Sequence, residues 1–211
     1  MLTSYTSTGR TSEMGNPNYP KKGSITKAQP IRSVALIAAI ETLLGTCLRD
    51  LALFVLGINT NLRAVDLRKL TVGDVKGATV GAVLQLREKK TQKVRTIFLN
   101  RKVIETLQRW LLVHPWGDQD DAILFPNLRT GQALQVSTIS RMVKGWCRRA
   151  GLEGHYSAHT LRKTFGFMHR TVHGTDIPTL MTMFNHGSQR QTLDYLGIDN
   201  EEIREAYLKE I

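Results

Sequence analysis

Apolar and polar positions along the chain follow two periods, and together they predict a run of helices with one hairpin inserted. From Ile31 onward the apolar residues recur at helical spacing. Ser33 is placed to cap a helix with Val34, Leu36, Ile37, Ile40 and Leu44 on its apolar side. A second helix, near 48–56, is apolar nearly all round, which predicts a place at the centre of the core. Gly57-Ile58-Asn59-Thr60-Asn61 reads as a turn, after which helix resumes over 64–70. The period then changes to two. Residues 79–86 alternate and are rich in Val and Leu, and 94–99 form a second such run. The charged stretch Glu88-Lys89-Lys90-Thr91-Gln92-Lys93 between them predicts a hairpin tip.

Helical spacing returns at Asn100, a cap for a helix to about 112 that His114-Pro115-Trp116-Gly117 stops. An acidic loop and the short buried segment Ile123-Leu124-Phe125-Pro126 follow. Ser137 or Thr138 starts the next helix, which runs to Ala150 and is stopped by Gly151. Ser157 caps another, and beyond the turn-like stretch 171–178 comes a short apolar helix. Residues 199–211 have Ile203, Ala206, Tyr207 and Ile211 at helical spacing. The fold class predicted is α+β, mostly α-helical, with a small antiparallel β-sheet on one side. Residues 1–30 differ: they are rich in Ser, Thr, Gly, Asn and Pro, lack any period and end near Lys21, Lys22 and Lys27. They read as a flexible basic N-terminal tail or linker, leaving 31–211 as one domain, and 211 residues suffice for one well-buried core.

Charge narrows the partners. A net charge of +11 and a pI of about 10.0 imply a polyanion, with nucleic acid the first choice. In the helix over 138–150, Arg141, Lys144 and Arg148 fall at i, i+3 and i+7 with no acid among them. A stripe of one sign suits phosphate contact better than a merely solvated face. Residues 199–211 instead carry five acids and two bases, so this amphipathic segment should meet protein, either its own domain or a neighbour. The two cysteines, Cys47 and Cys147, show no zinc or CxxC spacing and read as free core thiols in a reducing cytoplasm. The N-terminus lacks a charged region followed by an apolar one, and the longest apolar run contains Glu41 and is too short to span a bilayer, so no membrane partner is expected.

The candidate chemistry lies between His155 and Tyr195. His159 and Arg162 are three apart in a helical segment and so share a face. A guanidinium fork grips two phosphate oxygens, and an imidazole beside it can move a proton. His186 follows, and nine residues later comes Tyr195, a candidate nucleophile. Spacing by itself yields a phosphate site with a candidate tyrosine. No metal-ligand spacing, P-loop or carboxylate pair competes with it, and no cofactor is expected. Arg63, taken alone, reads as a surface arginine at a helix start.

The ordered set His159-Thr160-Leu161-Arg162, Phe184-Asn185-His186 and Tyr195 resembles the C-terminal signature of the tyrosine recombinase (phage integrase) family. Upstream, GINTNLRAVDLRKLTVGDV resembles the family's first arginine box, with Arg63 as its arginine and Asp66 and Asp74 at its acidic positions. Asn61 stands where that box often has Gly, and Asn tolerates the left-handed backbone a Gly would supply. Lys163 stands where relatives often have His. The resemblance implies a tyrosine-recombinase catalytic fold over roughly 31–211. It also implies site-specific cutting and rejoining of DNA strands through a 3′-phosphotyrosyl intermediate, without metal or ATP. Tyr195 would be the nucleophile, His159 the proton acceptor, and Arg63 and Arg162 the clamp on the non-bridging oxygens. His186 would bond the phosphate and orient the tyrosine, and Asp66 would support the site from behind. A hairpin lysine would protonate the leaving oxygen: Lys90, preceding Thr91, with Lys89 and Lys93 close alternatives.

The same resemblance implies double-stranded DNA as partner, contacted by Lys89, Lys93, Arg141, Lys144, Arg148 and Lys163. It implies a homo-tetramer on DNA and a monomer when free, with accessory DNA-bending proteins, in the cytoplasm of a bacterium at the nucleoid, encoded by the host or a phage. The 199–211 helix would dock on a neighbouring subunit or on its own domain. Some 30 residues ahead of the domain are too few for the helical DNA-binding domain that most relatives carry. Either the enzyme is naturally minimal, like those that invert fimbrial switches, or the sequence is part of a longer chain. Two rival readings are a type IB topoisomerase, which shares the chemistry, and a catalytically silent DNA-binding regulator, against which the intact residue set argues.

Overall fold

Helix α2 (Leu48–Asn59) is the axis of the molecule: every residue from Leu51 to Ile58 is buried. The computed structural model describes residues 27–87, 94–196, 204 and 207–210. The expected hairpin tip, with Lys89, Lys90 and Lys93, lies outside the described residues, as do 1–26 and most of the expected C-terminal helix. Helix α1 (Val34–Leu44) packs on α2, and α3 (Ala64–Leu67) follows it. The hairpin strands are β1 (Val83–Arg87) and β2 (Val94–Phe98). Helix α4 (Arg101–Leu111) packs on α2 from one side and α6 (Ala158–Thr171) from another, with α5 (Val136–Arg149) against α6. Helices α7 (Ile177–Phe184) and α8 (Gln189–Leu196) pair with each other and both rest on α6.

Local chemistry accounts for four of the helix starts. The Ser33 hydroxyl accepts from Leu36 N, Asn100 Oδ1 from Val103 N at 3.0 Å, and Asp176 Oδ1 from Thr179 N at 2.7 Å, so α1, α4 and α7 each begin on a side-chain cap. Thr160 Oγ1 accepts from Ser157 N at the start of α6. The hairpin pairs antiparallel, with Val83 opposite Phe98 and Gln85 opposite Thr96. Its inward side chains on β2 are Arg95 and Ile97, both buried.

Six local expectations change, the first being that α3 ends at Leu67, short of the expected 70. Helix α2 continues through Gly57 to Asn59 and the turn falls at Thr60–Asn61. Gly57 permits close helix packing: a Cβ there would stand 2.7 Å from Leu161 Cδ1 on α6. Strand β1 starts at Val83 because residues 79–82 form a turn closed by Ala82 N on Thr79 O, with Gly81 at φ +86°. Helix α5 begins at Val136, ahead of Ser137, with Gln135 at its N-cap and no side-chain cap bond. Val34 is 59% exposed, since the turn of α1 that faces α2 is carried by Ile37, Ile40 and Leu44. Cys47 is an exposed thiol ahead of α2, whereas Cys147 is fully buried, its thiol pushed up to about 12 by burial.

Residues 27–31 are packed against α6. Gln29 N donates to His155 O at 2.9 Å, Ile31 N donates to Thr164 Oγ1 at 2.9 Å, and Ile31 is fully buried. The apolar interior divides in two. The larger cluster surrounds α2, and a small one of Phe165, Leu180, Phe184 and Leu196 joins α6, α7 and α8. Arg162 and Tyr195 sit along that seam.

Candidate active site

Arg162 projects from the buried face of α6 and is only 3% exposed. Its guanidinium donates to the carbonyl of Asn61 and, at 3.0 Å, to the carbonyl of Phe184. Asn61 lies in the turn after α2, and Phe184 is the last residue of α7. The guanidinium plane lies over the Phe184 ring at 4.7 Å and near the Tyr195 ring at 5.9 Å. Burial and the neighbouring charges of Arg95 and Arg63 bring its pKa down to about 10, so it stays cationic at neutral pH.

The other residues gather around this anchor. His159 lies one helical turn before Arg162, with an exposed edge. Partial burial lowers its pKa first, and the charges of Arg162, Lys163 and Arg63 lower it further. His186 follows Asn185, which ends α7 at φ +55° and turns the chain into α8. Its Nδ1 meets Thr192 Oγ1 at 3.0 Å, its ring stacks on Phe184 with centroids 5.1 Å apart, and burial together with Arg162 and Arg63 lowers its pKa. Arg63, half-buried, directly precedes α3 and lies near enough for its charge to be felt at His159, Arg162, His186 and Tyr195. Asp66, half-buried in α3, receives the backbone of Lys69 on its carbonyl.

Tyr195 stands on α8 with two cations near its ring: Lys163 Nζ is 5.3 Å from the centroid and the Arg162 guanidinium 5.9 Å. The His186 ring meets it edge-on at 5.4 Å. Its hydroxyl is shielded from solvent and makes no hydrogen bond of good geometry among the described residues. Burial raises its pKa, and the Arg162 guanidinium works in the opposite direction. Beside it opens a cleft of about 450 Å³ bordered by Lys27, His155, His159, Lys163, Gln191 and Tyr195. On α5, Arg141, Lys144 and Arg148 are all exposed.

The fold thus brings Arg63, His159, Arg162, Lys163, His186 and Tyr195 into one cationic cluster. Sequence reasoning overlooked several contributors. Phe184 gives Arg162 both a carbonyl and a ring face, and Thr192 orients His186. Lys27, from the end of the N-terminal segment, and His155, at the start of the candidate stretch, border the cleft without an assigned role. Arg95 carried a legible signal: in the alternating run Val94-Arg95-Thr96-Ile97-Phe98 it is the charge at an inward position.

This architecture is that of a tyrosine recombinase catalytic domain. The chain belongs to the phage integrase family, matching it over residues 32–202. It is 34% identical over 180 residues to the probable integrase/recombinase YoeC of Bacillus subtilis, which covers 85% of this chain and 94% of that protein. It is 32% identical over 163 residues to tyrosine recombinase XerC of Caldanaerobacter subterraneus subsp. tengcongensis, covering 76% of this chain and 44% of that one. The chain therefore spans less than half the length of that XerC. Among solved structures, XerA recombinase superposes with a TM-score of 0.69 at 22% identity, covering 88% of this chain and 65% of that chain. XerH bound to palindromic difH substrate, a post-cleavage complex, superposes with a TM-score of 0.65 at 20% identity, covering 86% and 53%. No helix among the described residues is long and apolar enough to cross a membrane.

Proposed function

We propose that this chain cuts and rejoins DNA strands by transesterification at Tyr195, as a site-specific recombinase. The observation that carries the reading is the seat of the Tyr195 phenol beside the Arg162 guanidinium, with Arg63, His159 and His186 around it. The Tyr195 oxygen attacks phosphorus, its proton passes to His159, and a 3′-phosphotyrosyl bond forms as the bond to the 5′-oxygen breaks. The leaving oxygen takes a proton from a hairpin lysine, assigned to Lys90 with Lys89 and Lys93 as neighbours in sequence. A 5′-hydroxyl from a partner strand reverses the step, and the energy of the phosphodiester is conserved throughout.

The electrostatics suit these roles. Burial raises the tyrosine above its ordinary value, so attack at neutral pH needs a proton acceptor. His159, with its pKa held low, is neutral there and can accept. The transition state adds charge to an anionic phosphate, and Arg162 and Arg63 are fixed cations placed to meet it. Asp66 supports Arg63 through α3. DNA beyond the cleft runs over Lys163 and the α5 stripe, and residues 199–211 dock on a neighbouring subunit in a tetramer on DNA.

The test uses a nicked duplex taken from a randomised pool by covalent capture. Wild-type protein should yield an SDS-resistant protein–DNA band and a free 5′-hydroxyl, and Tyr195→Phe should yield neither. A band that persists in Tyr195→Phe, or a 5′-phosphate end, would overturn the mechanism.

A further inference from the structure

Asn61 occupies a conformation that costs most side chains about 1 kcal/mol, with φ at +48°, although Gly would adopt it freely. It is also 4% exposed, so its amide needs partners. It has them on two separate elements. Nδ2 donates to Met183 O on α7 at 2.6 Å, and Oδ1 accepts from Arg95 Nη2 on β2. The carbonyl of the same residue accepts from Arg162 on α6 and, at 3.4 Å, from Arg95. One residue therefore ties β2, α6 and α7 together two positions before Arg63. A glycine would make the turn and keep the carbonyl, but it would lose the side-chain bonds to Arg95 and Met183.

Arg95 is the other half of the device. It is 8% exposed on the inward face of β2, the strand that leaves the lysine-bearing hairpin tip. Its charge reaches Arg162 and lowers that group's pKa, a like-charge contact an apolar side chain would avoid. Burying a second guanidinium beside the first is unfavourable unless its hydrogen bonds return something. Here they fix the carbonyl that fixes Arg162.

We infer that Asn61 and Arg95 form a positioning pair that sets the Arg162 guanidinium, and through the Asn61 turn Arg63, for the phosphate, linking the hairpin strand to the arginine clamp. The pair touches no substrate and acts through the two arginines. This rests on the strand-transfer reading above.

The test compares wild type, Asn61→Gly, Arg95→Met and the double variant on the captured duplex, with either a normal scissile phosphate or a methylphosphonate there. Methylphosphonate replaces one non-bridging oxygen with an uncharged methyl and so removes the charge the clamp meets. Misplacing the clamp by about 1 Å should slow adduct formation on the normal linkage by about 10- to 100-fold. DNA affinity should stay within about twofold, since the phosphate track is untouched. On the methylphosphonate the variants should approach the wild-type rate, and the double variant should be no slower than the slower single one. Asn61→Gly should keep its cooperative melt because glycine fits the turn.

Asn61→Gly and Arg95→Met reacting at the wild-type rate on the normal linkage would overturn the inference. So would a defect of equal size on both linkages, or loss of the cooperative melt in both single variants, which would make the pair a support of the fold alone. Failure of wild type itself to form an adduct that depends on Tyr195 would instead sink the strand-transfer reading, and the inference with it.

Discussion

His159 and Arg162 differ by three positions and by almost everything in their surroundings. The arginine is locked on two carbonyls, whereas the histidine has an exposed edge and owes its lowered pKa to burial and three cations. That difference sets a pH dependence. A base must be unprotonated, so single-turnover adduct formation should hold level above neutrality and fall as pH drops below His159's ordinary value of about 6.5, with a midpoint displaced to lower pH. His159→Gln should be slower and flat over that window. A wild-type rate that climbs as pH falls would show that His159 does not take the proton. At this scale chemistry and spacing single out Arg162, His186 and Tyr195, residues the fold places side by side. The sequence was silent on Asn61 as a junction, because its bonds to Met183 and Arg95 join residues more than 30 positions apart. Cys47 was misread as a core thiol, because its exposure depends on where α1 ends.

The element that carries the tyrosine rests on a small foundation. Helix α8 meets α6 through Leu196, and a Cβ added at Gly166 would lie 2.5 Å from Leu196 Cδ2 and 2.7 Å from Phe184 Cζ. Gly166→Ala should therefore push α8 and the end of α7 away from α6. Overpacking of this kind costs about 1–3 kcal/mol, against about 1 kcal/mol regained from helix propensity. We expect a lowered melting temperature together with at least a tenfold loss of adduct formation, since Tyr195 moves with α8. Unchanged adduct formation in Gly166→Ala would mean that α8 does not deliver the nucleophile from this seat. Element periods were readable from sequence, including the hairpin and the caps at Ser33 and Asn100. Gly57 was misread because a glycine beside polar residues signals a turn, while its actual use, close approach of Leu161, depends on a helix a hundred residues away.

Across the whole molecule two charge effects should be measurable. Exposed Arg141, Lys144 and Arg148 lie along α5, and each phosphate contact contributes about −0.9 to the slope of log affinity against log salt. Replacing all three with Gln should flatten that slope by up to about 2.7 units, and an unchanged slope would take α5 off the DNA path. Stability should depend on pH through His159, His169 and His186, all shifted down chiefly by burial. A lowered histidine pKa favours the folded state above the unfolded value of about 6.5, and this contribution is lost as pH falls from there through the folded value. The melting temperature should accordingly decline between about pH 7 and 5.5, before most carboxylates titrate, and His169→Gln should flatten part of that decline. A melting temperature that rises over this interval would contradict the burial of these rings.

The proposed reaction joins Tyr195 covalently to DNA. The captured complex should be digested with nuclease and protease and its peptides mapped by mass spectrometry. A nucleotide should be found attached through its 3′-phosphate to the peptide containing Tyr195, on the tyrosine itself. Attachment to another residue, such as the buried Tyr156, or a complex with no covalent nucleotide at all, would contradict it.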